Sequence, residues 1–266
     1  MRVAKNTYLV EVDEQFVRPV IGGLKMFVDT DFNPRVLSTR IGKIHTLPVA
    51  LDEEYRYDNK LEIGDEVVFS HLVCQNKNKF AENIFFCRYH NIYTKVVNDN
   101  FEVLEDIIFC EKMYAPDLKI GALEIKGSVS DKFARVFEVS KHAQEEGVEK
   151  GDIIYFTKNA DYEIEISGKV FYKMHLRNVI GIERDGELKT FRNKLLVKNT
   201  TVLSKVGQME RMYADTTLQT GEVILSGKTG IPKGTVLTYL NGSASAINWR
   251  GEDYSFLNLE NIKYTL

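Results

Sequence analysis

The chain has 266 residues, of which 44% are hydrophobic and 11% aromatic, and its formal net charge is −3. Acidic and basic residues are interspersed and apolar runs stay below the roughly 18 residues that span a bilayer, so neither a nucleic-acid nor a membrane partner is expected. Five prolines and many Tyr and Phe residues favour an all-β protein, and the length allows two or three domains. The first residues lack a signal-peptide pattern and three cysteines are too few for a secreted disulfide framework, so we expect a cytoplasmic protein.

The first predicted element is an apolar strand from Thr7, and related strands start at Asp106 and Lys194. A short apolar string containing glycine follows each of these strands. The strings are Ile21-Gly22-Gly23-Leu24-Lys25-Met26, Ile120-Gly121-Ala122-Leu123-Glu124-Ile125 and Val206-Gly207-Gln208-Met209-Glu210-Arg211. The central strands that follow begin at Gly42, Ala134 and Gly221. The recurrence of one order of elements predicts three structural repeats.

A glycine turn and a closing strand complete each repeat. The turn glycines are Gly64, Gly151 and Gly234, and the closing strands follow Asn91, Asn178 and Asn261. From the first repeat to the second both markers shift by 87 positions, and from the second to the third both shift by 83. Two separate markers that shift together indicate true repeats. The glycines are expected to adopt the positive φ that a tight entry into a strand often needs.

The joins between repeats are short, at residues 98–101 and 183–187, and the second carries an Asp-Gly hairpin signal. The predicted domains are 1–98, 99–185 and 186–266. Without flexible linkers, each closing strand is expected to pair with or abut the next opening strand. The strands at 7–12 and 261–266 would then keep free edges, and head-to-tail pairing of these edges predicts self-association into a ring.

This order of elements resembles the GroES (chaperonin-10) family. In the first repeat the resemblance lies in the Gly-Gly-aliphatic string at 21–26, the strand start Gly42-Lys43-Ile44 and the turn Ile63-Gly64-Asp65-Glu66-Val67-Val68-Phe69. The second repeat keeps Gly151-Asp152, whereas the third keeps Gly234 but loses the acidic residue. The resemblance implies an all-β fold of three tandem GroES-like β-barrels in a row. Co-chaperonins have one or two such units per chain, and the insertion at 47–60 is more similar to virus-encoded relatives.

The resemblance also implies a function. Members of the family dock mobile-loop tips on a GroEL-type chaperonin ring, form a lid over it and assist protein folding, here in the host cytoplasm if the chain is virus-encoded. The implied chaperonin-binding residues are Ile21, Gly22, Gly23, Leu24, Met26, Phe27, Ile120, Gly121, Leu123 and Ile125. The loops at 15–40 and 114–130 are expected to be mobile in the free protein.

Two alternatives stay open for these segments and for the function. The apolar tip residues can equally be ordinary strand residues that face a core. The chain as a whole can be a structural or virion-assembly protein that uses the barrels as a scaffold without binding a chaperonin, because a fold alone does not determine a function.

Four residues have side chains of the types that bind zinc: His71, Cys74, Cys87 and His90. Their three-residue spacing along extended strands sends the side chains of each pair to opposite faces, so a metal site would need a local bulge. The alternative is that the cysteines are buried core residues and the histidines are partly exposed.

Catalytic motifs are missing from the sequence. It contains no Gly-x-Ser-x-Gly, no phosphate-binding glycine-rich loop and no His-Glu-x-x-His. A GroES-like fold also occurs in medium-chain dehydrogenases, but the dinucleotide-binding Gly-x-Gly-x-x-Gly is absent. Neither enzymatic activity nor a cofactor is therefore expected.

Overall fold

The computed structural model describes residues 3–13, 20–21, 24–25, 40–55, 61–98, 100–114, 118–120, 123–125, 130, 132–157, 160, 162–166, 169–200, 205–206, 209–210, 218–240 and 242–265. Within these residues the chain is all-β, as predicted, and its large sheets are antiparallel. One short α-helix is described, Lys141–Glu145, together with 3-10 helices at Glu53–Tyr55, Asn76–Asn78, Tyr89–Asn91, Leu176–Asn178 and Leu259–Asn261. No helix of the described part is long and apolar enough to cross a membrane.

The first large sheet has seven strands in the order β6-β7-β1-β4-β5-β8-β9. Its strands are β1 (Thr7–Glu11), β4 (Ile41–Thr46), β5 (Glu66–Phe69), β6 (Lys79–Ala81), β7 (Ile84–Arg88), β8 (Ile92–Val97) and β9 (Asn100–Val103). Between β1 and β4 lies a separate two-stranded hairpin of β2 (Val20–Ile21) and β3 (Leu24–Lys25).

The second large sheet has the order β15-β16-β10-β13-β14-β17-β18. Its strands are β10 (Ile107–Glu111), β13 (Phe133–Val139), β14 (Ile153–Phe156), β15 (Tyr162–Ile166), β16 (Lys169–His175), β17 (Val179–Arg184) and β18 (Glu187–Thr190). A hairpin of β11 (Leu118–Ile120) and β12 (Leu123–Ile125) again lies between the first two of these strands along the chain.

The third large sheet has six strands in the order β24-β25-β19-β22-β23-β26. Its strands are β19 (Lys194–Thr200), β22 (Leu218–Ser226), β23 (Val236–Leu240), β24 (Ser245–Trp249), β25 (Glu252–Asn258) and β26 (Ile262–Thr265). The corresponding hairpin consists of β20 (Lys205–Val206) and β21 (Met209–Glu210). Among the described residues, this sheet lacks a strand at the place of β9 and β18.

The three large sheets therefore share one strand order, as the repeated sequence markers require. Gly64, Gly151 and Gly234 have φ values of +92°, +92° and +86°, in the region where a side chain is strained. The asparagine markers also agree in position, because each is the last residue of a 3-10 helix that directly precedes the closing strand. The two sets of markers fall at the same place in every sheet.

The glycines at the start of the central strands have a steric role. A Cβ on Gly42 would lie 2.5 Å from the carbonyl oxygen of Glu11, and one on Gly221 would lie 3.1 Å from the carbonyl oxygen of Lys198. Glu11 is the last residue of β1, and Lys198 occupies the equivalent position in β19. Both strands pair with the central strand of their sheet. The second sheet has Ala134, the smallest side chain, at this place. In the first and third sheets the backbones of the opening and central strands thus approach closely at this position.

The Asp-Gly hairpin is confirmed, and of the two expectations for the joins, pairing or abutting, the structure contradicts pairing. Arg184 pairs with Glu187 across a two-residue turn in which Asp185 and Gly186 have φ values of +53° and +76°. After this turn the chain forms β18, which pairs with the closing strand β17. In the first sheet β9 pairs with the closing strand β8 in the same way. The closing strands therefore do not pair with the next opening strands. Each opening strand lies inside its own sheet, as β1 does between β7 and β4.

The opening strands are buried on both faces. In β1, Tyr8 and Val10 belong to the core of the first sheet, whereas Leu9 points to the other face and is also fully buried. In β19, Leu195 and Val197 belong to the core of the third sheet, and Leu196 belongs to a different apolar cluster. The sheets consequently have an apolar inner face and an apolar patch on the outer face.

That second cluster joins the third sheet to the second. Its buried members are Tyr155, Ile180 and Leu188 of the second sheet and Leu196, Ile247, Tyr254 and Phe256 of the third. A Cβ on Gly181 would lie 2.3 Å from Cζ of Phe256, so the ring occupies the space that the glycine leaves. The rings of Tyr155 and Phe256 have centroids 6.1 Å apart. The second and third sheets thus pack together with the ring of Phe256 lying against Gly181.

The chain divides into two compact units. The first comprises Met1–Phe109, Glu138–Glu149 and Glu165–Val170, and the second comprises Cys110–Phe137, Lys150–Ile164 and Phe171–Leu266. The packing of the third sheet on the second lies within the second unit. The three-domain boundaries at 98/99 and 185/186 stay a prediction.

Candidate docking surfaces

Of the ten residues implied to contact a chaperonin, five lie in described strands of the small hairpins. Ile21 pairs with Leu24, and Ile120 pairs with Leu123. Ile125 pairs with Leu118 at the other end of the second hairpin. Aliphatic residues therefore stand opposite each other on both sides of a two-residue connection that begins with glycine, the residue such connections favour.

The remaining five residues lie outside the described part of the chain: Gly22, Gly23, Met26, Phe27 and Gly121. Most of the two segments expected to be mobile, 15–40 and 114–130, lies outside it as well. The expectation of mobility therefore stays a prediction.

The four residues of the predicted zinc set differ in burial. All four residues are described, and no group of three or more His, Cys, Asp or Glu side chains that could hold a metal ion occurs in the described residues. Cys74 and Cys87 belong to the apolar core of the first sheet, whereas His90 is exposed. Cys87 lies in β7 with its side chain in the core, whereas His90 lies in the 3-10 helix that follows β7.

Burial also makes the cysteine thiols unreactive. Desolvation raises the pKa of Cys74 to about 12 and raises the pKa of Cys87 and Cys110 as well, because a thiolate is poorly stabilised in an apolar core. The thiolate is the form that binds metals and attacks electrophiles. These cysteines are therefore core residues of the first and second sheets.

The acidic residue after the turn glycine has a structural role. In the second sheet Arg184 donates to both carboxylate oxygens of Asp152, from Nε to Oδ1 at 2.7 Å and from Nη2 to Oδ2 at 2.8 Å. In the first sheet Lys95 Nζ lies 2.9 Å from Oδ1 of Asp65. Both pairs tie the glycine turn to the closing strand. Thr235 occupies this position in the third sheet, so the turn there has no such ion pair.

A docking position on the outer face was not predicted from the sequence. Five positions before the asparagine markers stand Phe86, Lys173 and Phe256, in β7, β16 and β25. Phe256 is 2% exposed in the packing of the third sheet on the second, and Lys173 is 7% exposed. Phe86 is 38% exposed. In the sequence, the only indication was that two of the three repeats have phenylalanine at this position. The packing of Phe256 shows that the position lies in an interface.

The positions that contact Phe256 in the second sheet have equivalents in the third sheet. Tyr155 pairs with Gly181 in the second sheet, and Thr238 pairs with Tyr264 at the same register in the third. Ile180, which is buried in the same cluster as Phe256, corresponds to the exposed Lys263. The second sheet therefore offers an apolar receiving face, and the third sheet carries more polar residues at the same positions.

In the first unit, Phe101 of β9 and Phe109 of β10 make a contact of the same kind. Their ring centroids are 5.9 Å apart and the rings meet edge to face. Phe101 corresponds to Leu188 in its hairpin, and Phe109 corresponds to Leu196 in its opening strand. Leu188 and Leu196 share the cluster between the second and third sheets. The same register positions are therefore in apolar contact twice along the chain.

Comparison with known proteins gives no assignment for this chain. No family model matches it, and no curated protein matches it.

Proposed function

We propose that the protein is a co-chaperonin-like lid that docks on a GroEL-type chaperonin ring through aliphatic hairpin tips and assists protein folding. It acts in the cytoplasm, the host cytoplasm if the chain is virus-encoded. The observation that carries the proposal is a repeated one: every repeat has a small hairpin that belongs to no large sheet, inserted between the opening and central strands. No enzymatic activity or cofactor is part of the proposal.

The chemistry of the hairpins supports a docking role in the first two repeats. Aliphatic residues pair across each hairpin end, Ile21 with Leu24 and Ile120 with Leu123. In the third repeat Val206 pairs with Met209, and the string continues with the charged residues Glu210 and Arg211. The proposal therefore assigns chaperonin contact to the first two hairpins.

In this proposal each large sheet curves into a GroES-like barrel, and the three barrels stand in a row. The core of the first sheet supports the curvature, because one cluster takes residues from β1, β4, β5, β7 and β8. Inner residues from many strands come together in one cluster when a sheet closes into a small barrel. In the described residues the strand pairing leaves β6 and β9 as the two edges of this sheet.

Several tips on one chain would act together. Burial of one Leu or Ile side chain contributes roughly 1.5–3 kcal/mol, and ordering of the bound segment offsets much of it. A second tip on the same chain binds at a high effective concentration once the first is bound. The repeated hairpin is therefore suited to a partner that itself presents repeated grooves, as a ring does.

The test is a pull-down of a purified GroEL-type chaperonin ring by the full chain, with and without ATP. We expect retention by the wild-type protein and its loss in the double variant Leu24→Asp/Met26→Asp. The matched control is Val206→Asp/Met209→Asp in the third hairpin, which should retain the ring. Failure of the wild-type chain to retain the ring under every nucleotide condition would contradict the proposal, as would loss in the control alone.

The alternative function is that of a structural or virion-assembly protein that uses the barrels as a scaffold. The observation in its favour is the packing of the third sheet on the second through Phe256 and Gly181, which joins neighbouring repeats without a linker. Such a protein would not retain a chaperonin, and replacement of Leu24 would leave its assembly unchanged. The same pull-down therefore distinguishes the two functions.

A further inference from the structure

One segment of the first repeat covers the core with side chains that are only partly buried. This segment, residues 47–55, follows the central strand β4 and precedes the glycine turn, and we name it the strap. Leu47, Leu51 and Tyr55 pack against the core cluster of the first sheet without being fully buried. Val49 is 52% exposed. These residues give the strap only shallow apolar contacts.

The corresponding segment of the second repeat is anchored differently. Residues 140–150 also join a central strand to a glycine turn, and they contain Ala143 and Val148, which are both fully buried. Their short helix begins at Ser140, whose Oγ accepts a hydrogen bond from Ala143 N at 3.2 Å. A segment with few buried apolar contacts has a low free energy of local opening. Apolar packing therefore holds the strap less firmly than its counterpart.

Polar contacts centred on one residue hold the strap. Asn6 directly precedes β1, and its side-chain oxygen accepts from Asp52 N at 2.8 Å while its side-chain nitrogen donates to Asp52 Oδ2 at 2.5 Å. Its backbone nitrogen donates to Ala50 O at 3.0 Å, and its backbone oxygen accepts from Tyr89 N at 2.9 Å. Asn6 thus links the strap to the 3-10 helix that precedes the closing strand.

The backbone and the charges at this link suit an asparagine. The φ of Asn6 is +57°, in the left-handed region that asparagine tolerates better than most residues. Asp52 also pairs with Lys5, and the hydrogen bonds from Lys5 and Asn6 lower the pKa of its carboxyl group. The acceptor is therefore ionised at neutral pH, and hydrogen bonds to ionised groups are stronger than those between neutral groups.

The strap covers an aromatic part of the core. The rings of Tyr55 and Tyr89 have centroids 5.1 Å apart, and those of Tyr89 and Tyr8 are 6.0 Å apart. Tyr89 and Tyr8 are buried members of the core cluster. The strap is not a strand of the large sheet, so its release would expose these rings without breaking strand pairing in that sheet.

We propose that the strap opens and closes locally over the core of the first repeat while the large sheet stays folded, and that Asn6 is the latch that keeps it closed. Loss of the hydrogen bonds between Asn6 and Asp52 leaves shallow apolar contacts and a few backbone bonds, such as that from Val49 N to Val3 O at 3.0 Å. The latch therefore controls the access of solvent to the tyrosine rings. This inference does not depend on the proposed function.

The first experiment is native-state hydrogen exchange of the full wild-type chain. The backbone amides of Val49, Asp52 and Tyr55 donate hydrogen bonds in the closed strap. We expect protection factors at least about 10-fold lower than those of the amides in β1, because the strap opens without the sheet. Equal protection of the strap and of β1 would overturn the proposal, since both would then open only when the whole repeat unfolds.

The second experiment changes the latch. Asn6→Asp places a carboxylate against that of Asp52 and should lower protection of the strap a further 10-fold or so, about the effect of losing one hydrogen bond to an ionised group. The fluorescence of the dye ANS, which binds exposed hydrophobic surface, should rise. The matched control is Asn248→Asp in the third sheet, where Asn248 Nδ2 donates to Asp253 Oδ1 at 2.8 Å. It should change neither readout, and a strap unaffected by Asn6→Asp would overturn the proposal.

A swap of the two side chains separates the hydrogen bonds from other effects of substitution. In Asn6→Asp/Asp52→Asn the amide and the carboxylate exchange places, so the same two groups still face each other. Protection of the strap should return to within about 3-fold of the wild type, because the pair acts as a unit. Unchanged far-UV circular dichroism verifies that the sheets are folded. A swap variant as poorly protected as Asn6→Asp alone would overturn the role of the latch.

Discussion

The second and third sheets share one strand order but differ in two residues of their closing strands. In the second sheet Ile180 and Gly181 receive the Phe256 ring of the next repeat, whereas the third sheet has Lys263 and Tyr264 at these positions. The comparison teaches that one strand order can carry different residues on its closing strand, and that the sheet with Ile180 and Gly181 there is the one that another sheet packs on.

The largest expected effect comes from the aromatic ring in this packing. Phe256→Ala should lower the free energy of unfolding by about 3–5 kcal/mol, because it removes a buried ring and leaves a cavity over Gly181. Phe86→Ala at the equivalent, exposed position of the first sheet should change it by about 0.5 kcal/mol or less in the monomer. Urea unfolding followed by circular dichroism, which reports on all the sheets, measures both. Similar losses in the two variants would contradict the assignment of Phe256 to an interface.

The glycine under the ring should show a smaller effect. Gly181→Val forces a side chain into the space of the Phe256 ring and should cost about 1–3 kcal/mol through overpacking. If steric conflict is the cause, Phe256→Leu should reduce the cost of the valine in the double variant. A double-mutant cycle from urea unfolding checks this. Strict additivity would show that the two residues do not share a contact.

The ion pairs at the glycine turns provide a third comparison. Asp152→Ala should cost about 1–3 kcal/mol, because the carboxylate is buried and accepts two hydrogen bonds from Arg184. Asp65→Ala removes a carboxylate that is more exposed than that of Asp152 and should cost about 1 kcal/mol or less. Thermal unfolding of the two variants under identical conditions measures the difference. A larger loss for Asp65 would reverse the order that burial predicts.

The smallest expected effect concerns the cysteines, which occur in the first and second sheets but not in the third. Native protein at pH 8 should not react with a thiol-specific disulfide reagent, because burial raises the pKa of all three thiols. All three should react after denaturation, since they are free. Rapid reaction of one thiol in the native state would indicate that its sheet opens locally.

The sequence by itself determined the repetition and much of the local structure. Gly64, Gly151 and Gly234 fall on positive φ because a tight entry into a strand requires it, and the Asp185-Gly186 hairpin follows from two residues that tolerate the left-handed region. These features depend on neighbours in the chain. A shared shift of the glycine and asparagine markers was therefore enough to align the three repeats before any contact was known.

Only the tertiary structure decided which faces and edges are covered. The strand at Thr7–Glu11, predicted to be an edge, lies inside its sheet because the distant strand β7 pairs with it. Packing likewise decided the environment of the predicted zinc set, since the two cysteines lie in the core whereas His90 is exposed. Phe86 and Phe256 have equivalent positions, yet one is exposed and the other buried. Burial of an outward residue depends on whether another sheet lies over it, which is a non-local property that the local pattern does not contain.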